Sequence, residues 1–235
     1  MIDSALVLAA GLGTRMENLT KTTPKPLLPV WGKPILDHIL AKVVAAGVKR
    51  LMVNTFYLAD QVEAYLRPWK SKVSDLIIMH EDTLQGTGGT VARACEFVEG
   101  KPFFVINGDV LWKEHGGSAL RAMIDCYRGR PMLACIPQEK AWGYDGTGDF
   151  FIEDGVIVNK RNPHQIAPYV YGGIQIFDPA FGCPEMIKHF RLSSPFKVDQ
   201  LWAPQISEKY LQGHVFPEPW YHVGTKEAFQ AVGYV

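Results

Sequence analysis

Short apolar runs alternate with segments of helical period through the first half of the chain. The runs Ser4–Leu8, Arg50–Asn54, Leu76–Met79 and Phe103–Ile106 are apolar on both faces, the pattern of strands covered by helices on each side. Between them, Ile35–Ala46, Ala59–Leu66 and Thr90–Phe97 carry apolar residues at helical spacing. This βαβα rhythm predicts a parallel sheet. After Trp112 the spacing predicts a helix to about Tyr127, followed by another apolar run, Met132–Ile136. The pattern then changes. Phe150–Ile152, Val156–Val158 and Val170–Phe177 read as strands of a mixed or antiparallel lobe, with Asp154-Gly155 as the turn between the first two. Further helices are expected at Pro184–Phe190, at Asp199–Leu211 and from about Lys226.

Composition narrows the partners. The 235 residues can bury a full core and fit one main domain. With 24 basic residues against 24 acidic ones, bulk charge implies neither nucleic acid nor an anionic membrane, so any anion site must be local. Cys95, Cys126, Cys135 and Cys183 show no C-x-x-C spacing and sit mostly in apolar stretches, which predicts buried, reduced thiols and no metal cluster. No leader pattern and no apolar run of membrane-spanning length are found, and a cytoplasmic location is expected.

The first run ends in Gly11-Leu12-Gly13-Thr14-Arg15-Met16, and Thr20-Lys21-Thr22-Thr23-Pro24-Lys25-Pro26-Leu27-Leu28-Pro29-Val30 follows. A Gly-rich turn after a strand lets backbone N–H groups approach phosphate oxygens. Arg15, Lys21, Lys25 and Lys33 stand against a single acid, Glu17, so the loop should attract a polyanion such as a triphosphate. A dinucleotide turn would need a third Gly where Met16 stands, and a Walker A loop would need a Gly-Lys-Ser/Thr ending; both are absent. Pro24, Pro26 and Pro29 forbid a long helix through the segment and hold Lys25 in place.

Ligands of open parallel sheets bind beyond the carboxyl ends of the strands. Two further motifs belong there. Asn107-Gly108-Asp109 offers a carboxylate for Mg²⁺, or is an ordinary turn. Glu81 with Leu84-Gln85-Gly86-Thr87-Gly88-Gly89-Thr90 offers amides to a flat base edge, or is a helix start capped by Thr87 or Thr90.

Together these residues resemble the sugar-1-phosphate nucleotidyltransferases, also called nucleotide-diphospho-sugar pyrophosphorylases. The resemblance rests on Leu8-Ala9-Ala10-Gly11-Leu12-Gly13-Thr14-Arg15-Met16 with Pro24–Val30, then Asn107-Gly108-Asp109 and Trp220–Thr225, in order along nearly the whole chain. Gly146-Thr147-Gly148-Asp149-Phe150 extends it. It implies a Rossmann-like, three-layer α/β/α fold with a mostly parallel central sheet and a small mixed β lobe. It also implies a single domain, with a nucleotide-binding half at 1–112 and a sugar-binding half at 113–235. The implied partners are a nucleoside triphosphate and a sugar 1-phosphate, in a monomer or small homo-oligomer. The implied reaction is a Mg²⁺-dependent attack of the sugar phosphate on the α-phosphorus, releasing pyrophosphate without a covalent enzyme intermediate.

Carried over by position, Gly11, Leu12, Gly13, Thr14 and Arg15 would hold the triphosphate, with Arg15 directed at the leaving pyrophosphate, and Leu8 and Ala10 would bind the nucleotide. Lys25 would stabilise the reacting phosphates and Asp109 would bind the metal. Glu81, Gly86 and Thr87 would lie near the base, and Asn107, Asp149, Gly172 and Gly173 near the sugar. The alternative for Gly172 and Gly173 is a β-bulge.

One departure stands out, since the family's second metal ligand, an Asp, is His222 in this chain. The imidazole could favour Mn²⁺, donate to phosphate, leave Mg²⁺ to Asp109 and substrate, or simply pack under Trp220. Trp142 and Tyr144 are candidates for an aromatic cage around a cationic group such as phosphocholine, or for core packing. A non-catalytic nucleotide-sugar sensor is the alternative of another class, against which the full set Arg15, Lys25 and Asp109 argues.

Overall fold

The computed structural model describes residues 2–159, 164–181, 195–216 and 218–233. In chain order the strands are β1 Ser4–Leu8, β2 Pro29–Val30, β3 Lys33–Pro34, β4 Arg50–Thr55, β5 Asp75–His80, β6 Phe103–Asn107 and β7 Val110–Trp112. They continue with β8 Met132–Pro137, β9 Ala141–Trp142, β10 Phe150–Glu153, β11 Val156–Asn159, β12 Tyr169–Phe177, β13 Gln212–Val215 and β14 Trp220–His222. The described helices are α1 Ile35–Ala45, α2 Ala59–Leu66, α3 Gly86–Ala94, α4 Ala119–Cys126, α5 Asp199–Ser207 and α6 Lys226–Val232.

Nine strands form one sheet in the order β10-β11-β13-β8-β12-β6-β1-β4-β5. The expected parallel block is present as β6-β1-β4-β5. The expectation of a mostly parallel sheet beside a separate small lobe needs correction. β12 runs antiparallel to both β6 and β8, and β10 and β11 join the same sheet, which is therefore mixed. The nine residues of β12 provide enough length for one strand to bridge the two blocks.

Period-2 alternation sorts the side chains of each strand onto two faces. On β1, Ala5 and Val7 join one apolar cluster and Leu6 joins the other. The first face receives α1, through Ile35, Leu36, Ile39, Leu40 and Val43, together with Val62 and Leu66 of α2 and Leu120 and Met123 of α4. The second receives α3 and α5, through Val91, Leu201 and Trp202. Each fully buried Leu or Ile of these faces contributes about 1.5–3 kcal/mol. A three-layer α/β/α arrangement follows.

Several predicted bounds shift for local reasons. The helix expected from Trp112 starts only at Ala119, because Gly116-Gly117 precede Ser118, whose side chain caps the helix by accepting from the Arg121 N–H. Helix α3 starts at Gly86 rather than Thr90, and neither Thr87 nor Thr90 caps it. Helix α5 stops at Ser207, short of the predicted Leu211, and Gln212–Val215 form β13, a strand the pattern did not predict. Asp154 and Gly155, both at positive φ, make the predicted turn between β10 and β11. Pro184–Phe190 and Cys183 lie outside the described residues. Cys135 is buried as expected and pushed up to about 12 by burial, but Cys126 is exposed and Cys95 half-buried.

Candidate active site

The carboxyl ends of β1, β4, β5 and β6 open into a cleft of about 230 Å³. Leu8, Ala10, Gly11, Lys25, Glu81, Gly86, Thr87, Asn107 and Asp109 line it together. The close approach of the β6 end to β1 requires Gly108, where a Cβ would stand 2.3 Å from the Leu8 carbonyl oxygen. Leu12, Gly13 and Thr14 lie outside the lining. Leu12 is exposed, and the Gly13 carbonyl is taken by the Met16 N–H and the Thr20 hydroxyl.

Charge converges on one oxygen. The Lys25 ammonium donates to Asp109 Oδ2 at 2.7 Å, His222 Nε2 stands 3.7 Å from the same atom, and an Arg15 guanidinium nitrogen 4.0 Å from it. Asp109 Oδ1 has no partner among the described residues. Burial by itself would raise the Asp109 carboxyl, but the Lys25 charge and the His222 ring hold it well below the usual carboxylate range. Lys25 is buried and sits in a tight turn, fixed by the Leu27 N–H to Pro24 carbonyl bond at 2.8 Å and the Leu28 N–H to Lys25 carbonyl bond at 3.1 Å. His222 is carried in by the pairing of β14 with β7, in which it faces Val110. Its ring also stacks on Trp220 at 6.2 Å and 11°, so packing and proximity to Asp109 hold at once.

The donors at Asp109 suit a metal that arrives with its substrate. Magnesium is commonly held by one or two carboxylates plus phosphate oxygens. Asp109 provides one carboxylate, and no group of three ligating side chains occurs among the described residues.

Thr87 and Asn107 also line a second cavity, of about 790 Å³, between β10, β12 and α5. Asp149 belongs to it, accepting from the Tyr171 N–H at 2.8 Å and the Tyr144 hydroxyl at 3.3 Å. Gly172 and Gly173 line neither cavity. They occupy the register shift between Tyr171 and Gln175, and the β-bulge alternative describes them. Sequence reading missed Tyr171, Lys197 and Trp202, which line this cavity. Tyr171 and Trp202 meet edge to face at 4.7 Å, and Trp202 Nε1 donates to buried Gln175 Oε1 at 2.8 Å. Their only signal was an aromatic in each of two predicted elements. Trp142 and Tyr144 form no shared cage, because Trp142 packs on Tyr221 at 5.6 Å while Tyr144 bonds Asp149. The Lys113 ammonium already stands 5.5 Å over Tyr221.

A backbone joint links the cavities. The Gly88 N–H donates to the Phe196 carbonyl at 3.0 Å, the Phe196 N–H to the Gln85 carbonyl at 3.2 Å, and the Val198 N–H to Thr87 Oγ1 at 2.9 Å. Gly86, at φ +70, leaves no room for a side chain, since a Cβ would lie 2.4 Å from the Phe196 carbonyl oxygen.

Residues 4–144 match the Nucleotidyl transferase family. The chain is 36% identical over 231 residues to the N-acetylmuramate alpha-1-phosphate uridylyltransferase of Caulobacter vibrioides, covering 95% of this chain and 93% of that protein. It is 34% identical over 234 residues to the mannose-1-phosphate guanylyltransferase of Mycobacterium tuberculosis, covering 96% of this chain but 62% of that longer protein. A UDP-glucose pyrophosphorylase complexed with UDP-glucose shares the fold with a TM-score of 0.80 at 21% identity, over all of this chain and 98% of the other. No described helix is long and apolar enough to cross a membrane.

Proposed function

The chain belongs to the nucleotidyl transferase family, and from that premise we propose that it joins a sugar 1-phosphate to a nucleoside triphosphate with release of pyrophosphate. The observation that carries the reading is the convergence of Lys25, Arg15 and His222 on Asp109, beside the residues shared by two adjoining cavities. The smaller cavity takes the nucleotide and the larger the sugar phosphate. The substrate pair favoured by the Caulobacter relative is UTP with N-acetylmuramate 1-phosphate, giving UDP-N-acetylmuramate, a step that would serve peptidoglycan recycling.

A phosphate monoester oxygen is already a competent nucleophile, so alignment and charge neutralisation are the protein's tasks. Lys25 Nζ, held in a buried turn, neutralises charge at the α-phosphate as it is attacked. Arg15, whose side chain is 61% exposed, sits where it can follow the departing pyrophosphate. The walls made by Asn107 and Asp149 orient the acceptor. Asp109 would hold Mg²⁺ together with phosphate oxygens, and the ion would supply further neutralisation of the triphosphate when bound. With an imidazole beside it rather than a second carboxylate, Mg²⁺ should bind weakly. His222→Asp is expected to lower the Mg²⁺ concentration for half-maximal activity by about three- to tenfold, by analogy with residues that tune a metal site. An unchanged Mg²⁺ titration would assign His222 to packing on Trp220.

The test is pyrophosphate release from UTP, GTP, dTTP and CTP against N-acetylmuramate, mannose, glucose and N-acetylglucosamine 1-phosphates, with Mg²⁺ or Mn²⁺. Turnover of UTP with N-acetylmuramate 1-phosphate is expected. Dominance of GTP with mannose 1-phosphate, or of dTTP with glucose 1-phosphate, would replace the substrate assignment and keep the reaction. Nucleotide binding with silence across the grid would replace the reaction itself with a sensor role.

A further inference from the structure

Beneath the smaller cavity lies a buried polar relay in which Asn54, a residue the sequence motifs do not include, is the hub. Asn54 is the last residue but one of β4, where it pairs in register with Leu8 of β1 and Met79 of β5. Its Oδ1 accepts from the Ala9 N–H at 2.7 Å. Its Nδ2 donates to Glu81 Oε1 at 2.8 Å and to Thr90 Oγ1 at 3.3 Å. Glu81 Oε1 also accepts from Thr90 Oγ1 at 2.7 Å, and Glu81 Oε2 accepts from the Gln85 N–H at 3.0 Å. Asn54, Glu81 and Thr90 are all at most 4% exposed.

Both Asn54 amide hydrogens and both Glu81 oxygens have partners inside the protein, so these side chains already serve the protein's own structure. What they hold are the roots of two loops. Ala9 leads into the Gly-rich phosphate loop, and Gln85 stands between Leu84 and Gly86, which line the cleft. We propose that Asn54 is a positioning residue that fixes the spacing between these loops, and so the fit of the nucleoside triphosphate, acting through Glu81 and the Ala9 and Gln85 amides. The proposal rests on reading the smaller cavity as the nucleotide site.

The relay has a strict donor and acceptor order, which makes it testable by exchange. Asn54→Asp sets two carboxylate oxygens against each other where Nδ2 now meets Oε1. Glu81→Gln sets a new carboxamide nitrogen against either Asn54 Nδ2 or the Gln85 N–H. Combined, the two substitutions restore the relay: the bonds among positions 54, 81 and 90 reverse direction, while the Ala9 and Gln85 N–H groups donate as before. The new carboxylate at position 54 accepts from the Ala9 N–H and from the new amide, whose oxygen accepts from the Gln85 N–H.

Steady-state kinetics of the three variants, with thermal unfolding, provide the test. Each single variant should raise the KM for the nucleoside triphosphate about tenfold, as expected for an unsatisfied buried polar group, while the KM for the sugar phosphate stays within about twofold. The double variant should return to within about threefold of wild type. Thr90→Val, which keeps the shape but removes the hydroxyl that donates to Glu81 Oε1 and accepts from Asn54 Nδ2, should raise the nucleotide KM by about threefold and serves if a single variant fails to fold. A double variant no better than the singles, or an equal rise in both KM values, would overturn the proposal. Absence of turnover in the wild-type protein would instead overturn the functional reading beneath it.

Discussion

The two cavities meet at Thr87 and Asn107 but are built in different ways. The smaller gathers the ends of neighbouring parallel strands over a floor whose buried groups are paired to one another, from the Ala9 N–H through Asn54 and Glu81 to the Gln85 N–H. The larger, more than three times the volume, draws on β10, β12 and α5, which are distant in sequence. Behind its wall, Tyr171 Oη, Gln175 Nε2 and Gln205 Oε1 have no partner among the described residues. A satisfied polar floor favours one geometry, and a partly satisfied one tolerates several. The nucleotide side should therefore be rigid, and the acceptor side should be where specificity can change without loss of the reaction.

The strongest break of that contrast is at the charged centre. Lys25→Ala should lower kcat for pyrophosphate release by about 10²–10³, the range for removing one donor at a developing charge. A smaller loss than tenfold would mean that Arg15 and the metal suffice. Next comes the joint between the cavities, where Gly86→Ala forces an L side chain to positive φ against the Phe196 carbonyl. It should cost at least about 1–2 kcal/mol in thermal or denaturant unfolding and raise both KM values, because it moves both walls. Trp202→Phe acts on one side only. It removes the donor to Gln175 Oε1 and should raise the acceptor KM about five- to tenfold with the nucleotide KM unchanged.

The smallest effect is on pH dependence. The Asp109 carboxyl is held below its ordinary value of 3.8 in the folded protein. Its contribution to stability is therefore complete above that value and is lost as pH falls beneath it, because the unfolded chain binds the proton first. Acid unfolding of the wild type should steepen below about pH 4, and the corresponding curve of Asp109→Asn should be flatter.

What was legible in the sequence follows the same division. Parallel strands, the Gly-rich loop, Lys25 between prolines and Asp109 after β6 are local signals, and local chain geometry dictates them. The mixed or antiparallel character of the second half was legible, but its joining to the parallel block in one sheet was not, because the pairing of β12 with both β6 and β8 depends on long-range register rather than on composition. Neither was Trp202, whose role arises only when α5 docks beside β12. Asn54 carried one overlooked sign, a polar residue directly after the apolar run Leu51-Met52-Val53 of β4. Glu81, expected near the base, lines the cleft, and its carboxylate accepts from Asn54, Thr90 and the Gln85 N–H, contacts that no sequence motif signals.

In the proposed reaction the protein aligns and neutralises its substrates and supplies no nucleophile of its own. Exchange of labelled pyrophosphate into the nucleoside triphosphate tests it most directly. With UTP, Mg²⁺ and labelled pyrophosphate alone, no label should enter UTP; adding UDP-N-acetylmuramate should start the exchange. Label entering UTP with no sugar phosphate or nucleotide sugar present would reveal a nucleotidyl-enzyme and rule out direct transfer between the two substrates.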